Sequence, residues 1–280
     1  MRLFNSYQKA GPGVAKNAPK KSPFYTFFEI YFRKFWKLIA LNMLYFIFCI
    51  PIFTIGPATA AFTKILKNYS QEKNAFLWSD FFEAFKKNFL QALPVGLVDV
   101  LLATSIFLGV QIYPSLADKN QLFYIPFFIS ISAALTVIIM HFYIYLMIVS
   151  IDIPLSKIIR NSFILTCVAI KKNIITLLAI SVVIVGNILL VFLSSNILFV
   201  LSILLIPCFT LSLVGLIVCF NSYPVIQKYI INPYYEASGE ENPEYQYLKP
   251  IDANESIFTD KGGSEKPVNI VINKKGKTIS

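Results

Sequence analysis

From Ile174 to Phe192 the chain runs nineteen residues (192 − 174 + 1) without a charged side chain, and from Ile197 to Phe220 another twenty-four (220 − 197 + 1). A helix needs about 20 apolar residues to cross the roughly 30 Å hydrocarbon core of a bilayer, so both runs are long enough to span one. Neither alternates with period two, as a strand of a membrane barrel must. The fold expected is therefore an all-α integral membrane protein. Composition agrees: 56% of the 280 residues are hydrophobic and 14% charged, against about 25% charged in an ordinary soluble domain.

Three further spans read as Leu38 to Ile55, Leu90 to Ile112 and Leu122 to Ser150, with Pro51, Gly56 and Pro57 marking a break at the end of the first. The segment from Ala58 to Tyr69 is short, only moderately apolar, and carries Lys64 and Lys67. The positive-inside rule decides how to read it. If it does not cross, the chain has five spans, and 16 of its 25 cations fall outside against 9 inside. If it returns the chain as a short second helix, only Lys119 is external and the other 24 cations (25 − 1) are cytoplasmic. About six transmembrane helices with both termini cytoplasmic are expected; a re-entrant hairpin would give the same sidedness. The net charge of +10 then belongs to cytoplasmic loops, not to a nucleic-acid-binding face.

Residues 1–37 read as a cytoplasmic tail with Gly11-Pro12-Gly13 as a breaker, followed by an interfacial helix in which aromatic residues from Phe24 to Trp36 mix with Arg33, Lys34 and Lys37. No cleaved signal peptide is expected, because the first apolar run starts near Phe35. Residues 38–231 form the transmembrane domain, and 232–280 a polar cytoplasmic tail whose composition predicts disorder. A second amphipathic helix is expected over Asp80 to Asn88, with Phe81, Phe82, Phe85 and Phe89 on one face and Asp80 at its start. Ala84-Phe85-Lys86-Lys87-Asn88-Phe89 and Ala169-Ile170-Lys171-Lys172-Asn173-Ile174 precede two spans 85 residues apart. They suggest a parallel internal repeat, although any span favours Lys at its inner end.

Asp99 and His141 are the candidate site, because an ionisable side chain within a span costs about 2.5–3.5 kcal/mol at mid-membrane. Each stands about eleven residues, or roughly 16 Å, from the cytoplasmic end of its helix, on consecutive antiparallel spans, so the two can meet. One reading is a proton- or cation-linked site; the other is a structural hydrogen bond between helices. Asn42 and Asn187 are expected to pack helices. Cys49, Cys167, Cys208 and Cys219 form no C-x-x-C pair and read as buried small hydrophobes. A single histidine cannot furnish a His-rich metal site, so neither a metal, a cofactor nor an enzymatic activity is expected.

The order of several motifs resembles the YesL family of multi-spanning membrane proteins of Gram-positive bacteria. The resemblance rests on Leu3-Phe4-Asn5, Gly11-Pro12-Gly13-Val14, Phe32-Arg33-Lys34-Phe35-Trp36-Lys37-Leu38 and Leu41-Asn42. It continues through Pro51-Ile52-Phe53-Thr54-Ile55-Gly56-Pro57-Ala58-Thr59-Ala60-Ala61, Trp78-Ser79-Asp80-Phe81-Phe82-Glu83-Ala84-Phe85-Lys86-Lys87-Asn88-Phe89 and Asn221-Ser222-Tyr223. It implies a protein of the bacterial plasma membrane, often encoded near carbohydrate uptake genes, with no reaction assigned. The expectation that follows is a non-catalytic accessory or scaffold protein in contact with the bilayer and with a membrane transport complex or a second copy of itself. The alternative is a small-solute or ion transporter that uses Asp99.

Overall fold

A computed structural model describes residues 22–118, 120–195, 197–239 and 242. The N-terminal breaker, Lys119 and most of the expected C-terminal tail lie outside the described residues. The chain divides into two units at Pro233/Tyr234. The first holds α1 (Pro23–Arg33), α2 (Phe35–Cys49), α3 (Ile55–Ser70), α4 (Leu77–Lys87), α5 (Phe89–Ala117), α6 (Tyr124–Ile148), α7 (Leu155–Val168), α8 (Ile170–Leu193) and α9 (Ile197–Ile226). A π-turn, Gln227–Ile231, follows α9, and α10 (Asn232–Ser238) leads into the second unit. No strand occurs among the described residues.

The helices of the first unit fall into three successive groups. Each begins with a shorter helix (α1, α4, α7), bends at one residue into a longer one (α2, α5, α8), then turns into a third (α3, α6, α9). The bends share one backbone conformation: Lys34 at φ −103°, ψ 9°, Asn88 at φ −99°, ψ 8° and Ala169 at φ −98°, ψ 32°. These are bridge-region values, open to an ordinary L-residue, so neither Pro nor Gly is needed for the bend. The joint residue itself stays hydrogen-bonded in all three. Each joint's N–H donates to the residue four before it (Ile30, Ala84, Leu165), and its carbonyl accepts from the residue four after it (Leu38, Ala92, Asn173), over 2.9–3.1 Å. All six of those residues are buried. The inside of each bend is thus a small packed surface, which selects the angle.

This regularity differs from the repeat expected from sequence. Shifting by 85 residues pairs Asn88 with Asn173, whereas the geometry pairs Asn88 with Ala169, one helical turn earlier. It also adds a third copy at Lys34, where no Lys-Lys-Asn motif stands.

Four stretches are long and apolar enough to cross a membrane: Phe89–Ala117, Gln121–Ile148, Ile170–Leu193 and Pro207–Ser238. α2 and α3 are shorter. The first expected span ends early, at Cys49; Pro51 is followed by a 3-10 turn, Ile52–Thr54, in which Thr54 Oγ1 donates to Phe48 O (2.5 Å) and Pro51 O (2.6 Å). Gly56 and Pro57, read from sequence as part of the break, lie in the first turn of α3, where a missing proline N–H costs nothing. α5 runs on beyond Ile112, the expected end of that span, as far as Ala117. α4 starts three residues before the expected Asp80; Asp80 instead reaches back and accepts the Phe76 backbone N–H (3.0 Å). The apolar face of α4 serves the protein interior: Phe48 of α2 meets Phe81, Phe82 and Phe85 at ring distances of 5.4, 5.3 and 5.1 Å.

α3 is the hub. It packs on α1, α2, α4, α5, α6 and α9, and buries Gly56, Pro57, Ala58, Ala60, Ala61, Phe62, Ile65, Leu66, Lys67 and Tyr69. Its small residues allow this. A Cβ on Gly56 would collide with the Ala92 carbonyl of α5, and one on Gly96 with Gly56 Cα, so the two backbones touch. Ala92 and Gly96 form the small-xxx-small pattern that lets membrane helices approach closely. On another side of α3, a Cβ on Gly215 of α9 would strike Leu66 and Phe62.

Candidate functional site

The Gly56–Gly96 crossing sets the site. One turn beyond Gly96, α5 presents Asp99; one turn beyond Gly56, α3 presents Thr59. α6 runs beside both helices and brings His141 and Tyr145, four residues apart and therefore on one helical face. His141 Nε2 lies 2.5 Å from Asp99 Oδ1, and the Tyr145 hydroxyl donates to Asp99 Oδ2 at 2.6 Å. The two residues singled out from sequence therefore meet. Tyr145 was missed, although its i+4 spacing from His141 was visible. Across the site, the Tyr45 hydroxyl of α2 lies 3.1 Å from Thr59 Oγ1, which donates to Ile55 O (2.7 Å).

Geometry fixes the proton count of the Asp99–His141 pair. His141 Nδ1 lies 2.7 Å from Val137 O, a carbonyl that can only accept, so Nδ1 carries a proton. Two bare lone pairs cannot face each other at the 2.5 Å between Nε2 and Oδ1, so a second proton sits between these atoms. Whether written as imidazolium–carboxylate or as imidazole–carboxylic acid, the pair has zero net charge. Neutrality removes most of the cost of placing an acid within a span. Removing the shared proton would leave one uncompensated negative charge there.

The pair is not sealed between helices. Asp99, His141 and Tyr145 form part of the wall of a cavity of about 490 Å³, to which α2, α3, α5, α6 and α9 all contribute. The side chains of His141 and Asp99 keep 26% and 23% of their surface exposed. The rest of the wall includes the Tyr45, Phe62 and Phe142 rings, the Thr59 and Thr63 hydroxyls and Cys219. Among the described residues lining it, Asp99 is the only acid, and there is no Lys or Arg. No group of three or more His, Cys, Asp or Glu that could hold a metal occurs among the described residues. The four cysteines form no disulfide.

Other polar groups within the helices join them. Asn42 is fully buried; its Nδ2 donates to the Cys208 carbonyl and to Ser212 Oγ (3.0 Å), tying α2 to α9. Asn187 Nδ2 donates to Thr210 Oγ1 (2.9 Å), tying α8 to α9. Asn173 accepts from the Tyr143 hydroxyl (2.5 Å) and donates to Leu165 O (3.3 Å) and Thr166 O (3.0 Å), which pins the α7–α8 joint to α6. Lys67, 5% exposed, donates to Ser150 Oγ (3.1 Å) and lies 4.8 Å from the centre of the Tyr223 ring. Nearer the first joint, Arg33 pairs with Glu72 at 2.7 Å. That hydrogen bond raises the Arg33 pKa above its ordinary value, while partial burial, helped by Lys37 and Arg33, lowers that of Lys34.

Residues 38–110 match a protein family described as "Protein of unknown function, DUF624". The matched stretch holds α3, α4, the Gly56–Gly96 crossing and Asp99, and stops short of His141 and Tyr145. No curated protein matches the chain, and no solved structure does.

Proposed function

We propose that this is a six-crossing protein of the bacterial plasma membrane, with both termini cytoplasmic, that binds a small solute in the Asp99 cavity and couples its passage to protonation of the Asp99–His141 pair. α2–α3, α5–α6 and α8–α9 are three helical hairpins, each preceded by a bent-in shorter helix. Counting α2 and α3 as crossings places 24 of the 25 cations on the cytoplasmic side. The match to DUF624, a family with which YesL is commonly associated, supports the kinship suggested by the motifs.

One observation carries the transport reading: the ionisable pair lines a cavity of about 490 Å³, within the 300–1,000 Å³ typical of small-molecule sites. A purely structural bond between α5 and α6 would need no space beside it. The accessory role near carbohydrate uptake has no comparable geometric support and rests on the resemblance. No catalytic role is proposed, since the site pairs its acid with a base and a phenol but offers no activated nucleophile.

The two readings separate by access. In a variant lacking the four native cysteines, with a single cysteine at Ala103 in the cavity wall, a membrane-impermeant thiol reagent is applied to either face of reconstituted vesicles at pH 6 and pH 8. Proton-linked transport requires the face from which Ala103→Cys is labelled to change with pH. Labelling that is identical at both pH values, from both faces, favours the accessory role.

A further inference from the structure

We infer that the ligand of this cavity is a small protonated organic amine, bound in exchange for the proton that Asp99 and His141 share. The inference rests on the transport reading above and adds the ligand's chemical class and the stoichiometry.

The proton count leads to the charge of the ligand. With the shared proton in place the site is neutral. Once it leaves, Asp99 is a carboxylate and His141 a neutral imidazole with its proton on Nδ1, held by Val137 O. The site then carries −1 in a low-dielectric setting, where only a cation restores neutrality. The step balances: a monovalent ammonium enters, one proton departs from between Nε2 and Oδ1, and the net charge is zero before and after.

The wall argues against an inorganic ion. A metal cation needs about six oxygen ligands to replace its water. Beyond the Asp99 carboxylate the wall offers the Tyr45, Thr59, Thr63 and Tyr145 hydroxyls; Tyr45 and Thr59 are already bonded to each other, Thr59 Oγ1 is also held by Ile55 O, and Tyr145 donates to Asp99 itself. The remaining surface is apolar and aromatic, a setting that favours alkyl- or aryl-ammonium ions over hydrated ones. An N–H is also required. After the proton leaves, Asp99 Oδ1 and His141 Nε2 face each other as two acceptors, and an ammonium N–H can donate between them where a quaternary nitrogen cannot.

The ionisable groups around Asp99 leave the exchange to the pair. From α6 these are His141 and Tyr145; from α2, Tyr45 and, one turn on, Cys49; from α9, Cys219. Lys67 is the buried cation of α3. It is directed to Ser150 and the Tyr223 ring and is not part of the cavity wall.

The test uses the full-length protein in lipid nanodiscs and three probes: benzyldimethylamine, its uncharged isostere isobutylbenzene, and benzyltrimethylammonium. Titration calorimetry in two buffers of different ionisation enthalpy reads affinity and proton release together. Benzyldimethylamine is expected to bind with one proton released per molecule, and tenfold more weakly for each unit the pH falls, because the released proton competes. Isobutylbenzene and benzyltrimethylammonium are expected to bind at least tenfold more weakly. Asp99→Asn, shown by size-exclusion chromatography to remain monodisperse, is expected to lose proton release and at least tenfold in affinity. Equal affinity for the amine and isobutylbenzene, or amine binding without proton release, overturns the inference using the unaltered protein alone. If the amine fails to bind while Ala103→Cys labelling still switches with pH, the ligand class is wrong and the transport reading stands; if both fail, the transport reading falls with it.

Discussion

α3 and α8 are built on opposite plans. α8 contains one long charge-free run and buries only Asn173 and Thr176 at its start; Val182, Phe192 and Leu193 are 72%, 83% and 83% exposed. α3 carries two lysines and several small residues, and ten of its residues are buried in a helix that packs on six others. Hydropathy reports how much of a helix must face lipid, not whether it belongs to the membrane bundle. A helix enclosed by protein is released from the need to be apolar, and its small residues then allow close contact between backbones.

The same substitution made in both helical environments should have opposite consequences. Gly96→Ala, which drives a methyl group into the α3 backbone, is expected to destabilise the protein by about 3 kcal/mol or more, or to abolish folded material. Gly186→Ala on α8 meets nothing within 4 Å. It is expected to leave stability unchanged or raise it by up to about 1 kcal/mol, as alanine is the better helix former. Thermal unfolding in detergent, followed by the protein remaining monodisperse, measures both. Similar losses at the two glycines would mean that the α3–α5 contact has no special standing.

Amides that link helices give a smaller version of the contrast. Asn42→Ala removes two donated bonds between α2 and the inner helix α9 and is expected to cost about 1–2 kcal/mol, whereas Asn187→Ala removes one bond from the outer helix α8 and should cost about 0.6 kcal/mol. The same unfolding assay ranks them, and a larger loss at Asn187 would reverse the assignment of inner and outer helices. The smallest effect is expected at the Arg33–Glu72 pair, whose side chains are 45% and 52% exposed. Glu72→Gln should shift stability by less than about 0.5 kcal/mol, less still in high salt. A larger loss would show that the first joint is held by that ion pair and not by the packing of Ile30 and Leu38.

Much of this organisation was legible in the sequence because it depends on exposure or charge. The long runs marked α5, α6, α8 and α9, and antiparallel counting from the helix ends brought Asp99 opposite His141. Other features depend on what a residue does not have. Gly56, read as a break, is a contact surface, and its meaning requires knowing that Ala92 and Gly96 lie across from it. The joints at Lys34, Asn88 and Ala169 share a backbone angle but no side chain, so no motif could reveal them. The cavity is likewise formed by five helices distant in sequence. Tyr145 is the exception: its spacing from His141 was sufficient to place it at the site.

In the proposed topology α2 and α3 cross the membrane fully, like the other two hairpins. Labelling of intact cells with a membrane-impermeant thiol reagent tests this, using single-cysteine variants at Phe53 in the turn between α2 and α3, at Asn74 beyond α3, and at Asp118 between α5 and α6. Full crossing predicts labelling at Phe53→Cys and Asp118→Cys and none at Asn74→Cys until the cells are opened. A protected Phe53→Cys beside a labelled Asp118→Cys, or an Asn74→Cys labelled from outside, would contradict it.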